Sequence, residues 1–164
     1  MELALFKNGT KIAQGENGQV EITGLAPNTT VPAGEYEVAW VNGDFVSEAT
    51  PVPSFKTLPI AVTGVSVSPK TGTAVAGTAG SRNLTTTVEP SNATNKAVTY
   101  SIAPATTGLS VSSTGVIAWT EEVPAGTYTT TVKTTDGNKM TTHVLTLTEP
   151  EVEPSSIEMQ KKKN

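Results

Sequence analysis

The sequence predicts an all-β protein, a β-sandwich preceded by a smaller β-rich N-terminal region. Three observations predict it. Apolar and polar residues alternate with a period of two in short runs along most of the chain. Clusters of Gly, Pro, Asn and Asp separate the runs, with strand spacings of roughly 8–12 residues that suit a sandwich or barrel. No stretch of useful length carries the period of an amphipathic helix.

The first region covers residues 1–61. Leu3, Leu5 and Phe6 precede Asn8-Gly9, and Ile12 follows. Apolar residues on both sides of an Asn-Gly pair predict a hairpin, because a type I′ turn needs positive φ at both central positions. Val20 and Ile22 alternate with Gln19, Glu21 and Thr23, which predicts a half-buried strand. Tyr36, Val38 and Trp40 alternate with Glu35, Glu37 and Ala39, predicting one core face and one acidic, wet face. Asn42-Gly43 then turns the chain into Phe45-Val46. Thr50-Pro51-Val52-Pro53-Ser54 reads as a loop or edge strand, since proline cannot donate within a sheet.

Ile22-Thr23-Gly24-Leu25-Ala26-Pro27-Asn28-Thr29 followed by Tyr36-Glu37-Val38 resembles the later half of a fibronectin type III domain, over residues 20–47. The resemblance implies that Tyr36 ties a corner through its hydroxyl. Val31-Pro32-Ala33-Gly34 are extra relative to that pattern, and its front half is short.

The second region covers residues 62–148. Its alternating sets are Val65/Val67, Leu84/Thr86/Val88, Val98/Tyr100/Ile102, Leu109/Val111, Ile117/Trp119, Tyr128/Thr130/Val132 and Leu145/Leu147. Between them stand turn signals such as Pro90-Ser91-Asn92, Ser113-Thr114-Gly115, Pro124-Ala125-Gly126 and Asp136-Gly137. Val31-Pro32-Ala33-Gly34-Glu35-Tyr36 recurs as Val123-Pro124-Ala125-Gly126-Thr127-Tyr128. This match fits either two related β modules or a shared liking for turn-then-Tyr hairpin chemistry.

Several of these fragments together resemble the bacterial Ig-like group 2 family. Val62-Thr63-Gly64-Val65-Ser66-Val67-Ser68-Pro69 matches its first strand, and Pro90-Ser91-Asn92-Ala93-Thr94-Asn95-Lys96 its most recognisable loop. Val98-Thr99-Tyr100-Ser101 stands where a Trp is more usual. Ser113-Thr114-Gly115-Val116-Ile117, Ala125-Gly126-Thr127-Tyr128 and Asp136-Gly137-Asn138-Lys139 complete the match. The resemblance implies an Ig-like sandwich of about seven strands. Members of that family occur in bacterial adhesins and in phage head and tail proteins. No catalytic residue transfers, because the shared motifs are turn and core residues.

The chemistry the sequence can support is narrow. There are no cysteines, so disulfides and thiolate metal sites are excluded. The net charge of −4 argues against a generic nucleic-acid binder. No apolar stretch approaches the roughly 20 residues that span a bilayer as a helix. The single histidine, His143, shares strand parity with Leu145 and Leu147 and reads as a core residue. Glu121-Glu122 and the set Glu149, Glu151, Glu153 do not form a calcium loop. Asp136-Gly137 reads as a hairpin turn. Trp40, Trp119, Tyr36, Tyr100 and Tyr128 are predicted at inward-looking strand positions rather than on a sugar-stacking platform. The four Asn-x-Ser/Thr sites, at Asn8, Asn28, Asn83 and Asn92, read as accidents of a Thr-rich chain. No catalytic residue, cofactor site or metal site is expected, and no enzyme.

Residues 149–164 read as an extended polar tail ending in Lys161-Lys162-Lys163. The start, MELALFKNGT, lacks the pattern of a secretion signal. An Ig-like domain without that signal leads to the expectation of a virion protein made in the host cytoplasm and released by lysis. On this reading residues 1–61 attach to phage capsid or tail proteins, and the chain forms homo-oligomers. A head decoration or head fibre protein is the first expectation and a tail-associated protein the second. Weak binding to host-surface glycans would then gain from multivalency. A fragment of a bacterial adhesin and a carbohydrate-binding accessory module are the alternatives of other classes.

Overall fold

The computed structural model describes residues 1–151, and every regular element among them is a β-strand. The chain divides into two compact units, Met1–Ala61 with Asn92–Thr94, and Val62–Ser91 with Asn95 onward.

The first unit contains β1 (Glu2–Lys7), β2 (Thr10–Gly15), β3 (Thr30–Val31), β4 (Glu37–Asn42), β5 (Phe45–Val46), β6 (Thr50–Pro51) and β7 (Phe55–Lys56). Its main sheet runs β2-β1-β4-β5, with β6 also paired to β4, while β3 and β7 form a separate short ladder. Asn8 (φ 52°) and Gly9 (φ 75°) form the expected turn between β1 and β2. A bulge follows, because Lys11 opposes Phe6 and Ala13 opposes Leu5, leaving Ile12 unpaired. Leu5, Val31 and Tyr36 make the buried core, with Val20, Ile22, Leu25 and Phe55 packed on it.

Three expectations for this unit need correction. Val20–Thr23 is not a strand. Asn17 (φ 55°) and Gly18 (φ 73°) turn the chain straight after β2, with Gln19 N–H donating to Glu16 O at 3.1 Å. Both edges of β1 already carry ladders, so this segment gives side chains to the core without pairing. The second correction concerns the loop after β4. Asn42 pairs with Phe45, so the loop residues are Gly43-Asp44, and Gly43 takes positive φ (61°) at the first position, as in a type II′ turn.

The third correction is Trp40, which is 43% exposed. Its parity is as predicted, since Leu3 opposes Trp40 and Leu5 opposes Val38. The core lies around Leu5 and Tyr36, and Trp40 sits past its end. There the indole lies against the turn, 3.2 Å from where a Cβ on Gly18 would stand. The other face is not simply wet. Ala4, Ala39 and Val41 are buried on it. Gln14 stands opposite Ala4 and hydrogen-bonds Glu2 on one side and Lys11 on the other, so long polar side chains roof small apolar ones.

The second unit contains β8 (Gly64–Ser68), β9 (Thr71–Val75), β10 (Gly80–Asn83), β11 (Thr85–Glu89), β12 (Val98–Ala103), β13 (Leu109–Val111), β14 (Val116–Trp119), β15 (Gly126–Thr134) and β16 (Met140–Thr148). One sheet runs β12-β15-β16-β9, with β9 parallel to β16. The opposing layer is made of β10-β14-β13 and β11-β8, joined because β10 and β11 are one run of chain broken only at Leu84. This is an Ig-like sandwich. Its core holds Val67, Leu84, Ile117, Trp119, Val123, Tyr128, Val132, Leu145 and Leu147, drawn from both layers.

Strand alternation explains the core directly. Along β15, Tyr128, Thr130, Val132 and Thr134 are buried; along β16, Thr141, His143, Leu145 and Leu147 are. The positive φ angles of the β15–β16 turn fall on Gly137 (70°) and Asn138 (49°), so the tight turn lies one residue later than Asp136-Gly137. Asp136 instead accepts a hydrogen bond from Val62 N–H at 2.9 Å.

Candidate functional site

The second unit opens a cleft where its two layers part. β14 covers only the β10 half of the long strand, pairing Val116–Trp119 with Gly80–Asn83. Leu84 N–H still reaches Gly115 O at 2.9 Å, but the chain then turns away. Ser112 builds the turn between β13 and β14. Its hydroxyl accepts from Val116 N–H at 3.0 Å and lies 2.8 Å from the Thr114 hydroxyl. Among the described residues β11 pairs only with β8, and β12 stands at the edge of the other sheet.

Between β11 and β12 lies a cleft of about 500 Å³. Leu84, Val88 and Val98 supply its apolar wall. Thr86, Thr87, Ser91 and Thr114 also line it, Tyr100 adds an aromatic ring, and Lys96 is the single charged residue among the described lining residues. The Tyr100 hydroxyl and Thr86 Oγ1 lie 2.8 Å apart and bridge the layers. The ring packs closely on Gly115, where an added Cβ would stand 3.0 Å from the phenol oxygen. Lys96 donates to Ser91 O at 3.0 Å, which leaves two ammonium protons for other acceptors. Among the described residues no carboxylate lines the cleft.

The first unit offers a different surface. Met1, Ile12, Trp40, Phe45, Val46 and Leu58 are all exposed large apolar residues of that unit. Register puts Trp40 and Phe45 on one face of the sheet corner, and Val46 with Val41 on the other. A shallow hollow of about 540 Å³ runs along the roofed face between Met1, Phe6, Val46 and the Glu2–Gln14–Lys11 chain.

The residues weighed in the sequence are scattered. His143 is fully buried, with Nδ1 2.7 Å from Pro69 O. Nδ1 carries the proton in that bond, and among the described residues neither Nε2 nor the hydroxyl of the facing Thr130 has a hydrogen-bond partner. Tyr36 does not tie a corner to backbone; its hydroxyl accepts from Lys7 Nζ at 3.4 Å. That role falls to Tyr128, which donates to Pro124 O at 2.8 Å. Lys7 also pairs with Glu35 at 2.8 Å, and the hydrogen bonds to Glu35 and Tyr36 raise its pKa above the usual lysine value. Glu121 and Glu122 are exposed, as are Glu149 and Glu151, while Glu153 lies outside the described residues with most of the polar tail. Among the described residues no three His, Cys, Asp or Glu side chains come together as a metal site, and no helix is long and apolar enough to cross a membrane.

The cleft was not singled out in the sequence. Its signal was present in a weak form: Tyr100 stands where the resembling family usually has a Trp, and Lys96 closes the loop before it.

A cysteine-free Ig-like module is what fold, corner tyrosine and core define. The chain belongs to the family described as "Putative Ig domain", which matches residues 59–148. It is also similar to the "Ig-like virion protein" of Serratia phage KSP90, 46% identical over 80 residues. That match covers 49% of this chain and 29% of the relative, so the chain spans well under half of the relative's length. Among solved structures, the S-layer protein SbsC domains 4 and 5 align at 17% identity, over 90% of this chain and 98% of that one, with a TM-score of 0.41. Drosophila OTK extracellular domains 3–5 align at 12% identity, over 93% and 58%, with a TM-score of 0.38.

Proposed function

We propose that this chain is a non-enzymatic phage virion accessory protein, a head decoration or head fibre protein that displays its Ig-like unit. The observation that carries the reading is the 46% identity to a phage Ig-like virion protein. A tail-associated location is the second reading, since an outward-facing Ig-like module serves either place. The first unit supports attachment to capsid or tail proteins, or to further copies of the chain. Its buried core is small, and several large apolar side chains on it are exposed and would be covered by such a contact. Attachment in many copies would let weak contacts of the Ig-like unit with host-surface glycans act together.

Immunogold electron microscopy of purified phage, with antibody against residues 62–148, tests the proposal. Gold on heads supports decoration, and gold along tails moves the role to the tail. Unlabelled particles with labelled bacterial walls would replace the virion reading by that of a surface adhesin.

A further inference from the structure

We propose that the cleft between β11 and β12 is a saccharide site that takes a sugar residue bearing a carboxylate or phosphate. A sugar ring has C–H faces and a rim of hydroxyls. The cleft offers both, with Leu84, Val88 and Val98 as apolar lining and Thr86, Thr87, Ser91 and Thr114 as hydroxyl-bearing residues among them. Its volume, about 500 Å³, suits one or two sugar rings.

The charge follows from Lys96. It is held by a bond to Ser91 O, and among the described residues no acidic side chain lines the cleft to compete for it. In a chain of net charge −4, a cleft whose one charged lining residue among the described residues is a lysine is a local exception. An anionic group placed on Lys96 gains a charge-assisted hydrogen bond, and a cation has nothing to bind there. A saccharide is favoured over an acidic peptide because the lining offers hydroxyls around a compact hollow.

This inference deepens the glycan contact suggested above and rests on the virion reading only for its biological setting. The test uses the full chain, labelled with ¹⁵N and titrated with oligogalacturonate, with a neutral galacto-oligosaccharide and with oligoglutamate. Oligogalacturonate is expected to shift the amides of Thr86, Thr87, Lys96 and Tyr100, with binding that weakens in salt. Lys96→Gln is expected to reduce its affinity about fivefold. Tyr100→Ala is expected to lose these shifts, whereas Tyr100→Phe, which keeps the ring and removes only the bridge to Thr86, is expected to retain them. Equal binding of the neutral saccharide would overturn the charge assignment, and stronger binding of oligoglutamate would make the cleft a peptide site. No shifts at these residues on a protein that labels virions would sink the cleft proposal alone. Shifts on a protein absent from virions would keep the cleft and remove the virion reading.

Discussion

At the scale of single residues, the Ig-like unit depends on a few contacts that tolerate little change. Trp119 is buried, donates from Nε1 to Thr78 O at 3.1 Å and pairs across the ladder with Gly80. A Cβ on Gly80 would stand 2.5 Å from the indole, so the glycine is there for space rather than for backbone freedom. Gly80→Ala is expected to cost about 1–3 kcal/mol by overpacking, read from the urea midpoint. Tyr128→Phe removes the bond to Pro124 O and is expected to cost about 1 kcal/mol by the same measurement. Lys7 gives a pH signature of opposite reach. Its pKa is raised in the fold by the bonds to Glu35 and Tyr36. The contribution is therefore complete below the ordinary lysine value of 10.5 and fades as pH rises through the higher folded value. Lys7→Met is expected to flatten that alkaline decline in a thermal-melt series above pH 10, while leaving the neutral-pH profile flat.

At the scale of elements, turn chemistry and strand parity were legible, and depth and pairing were not. Asn8-Gly9 announced its hairpin because both central residues need positive φ, and the structure has them there. Asn17-Gly18 carried the same signal unread, and reading it would have ended β2 at Gly15 and removed the strand proposed at Val20–Thr23. Parity placed Trp40 on the core side correctly. It could not show that the core stops short of Trp40, because that depends on where β1 and β4 overlap. In the second unit the alternation predicted the buried sets of β15 and β16 almost residue by residue, since a long paired strand samples the whole core. The cleft escaped because it arises from β14 covering only half of its neighbour, a register fact invisible to periodicity. The two Val-Pro-Ala-Gly segments also diverge in three dimensions: Gly34 takes positive φ, whereas Gly126 opens a strand. Gly9→Val, which forces a β-branched residue into the left-handed region, is expected to destabilise the β1–β2 hairpin by about 1–2 kcal/mol. Faster hydrogen exchange at β1 amides, with β15 amides unchanged, would check it.

At the scale of the whole molecule, the two units differ in how much of their stability they carry internally. The Ig-like unit draws its core from both layers and from most of its strands, while the first unit closes around Leu5, Val31 and Tyr36. A unit with so small a core and so many exposed apolar side chains gains most from covering them. Phe45 is 60% exposed in a two-residue strand, so an aspartate there removes apolar surface without opening a cavity. Phe45→Asp is therefore expected to leave the thermal midpoint within a few degrees of the parent while lowering its mass in light scattering at high concentration. The same substitution is expected to weaken retention on phage particles, scored by the gold label per particle. An unchanged mass together with unchanged retention would mean that the Trp40–Phe45 corner is not the face that attaches. The search would then move to the hollow beside Met1 and Phe6, on the opposite face of the same sheet.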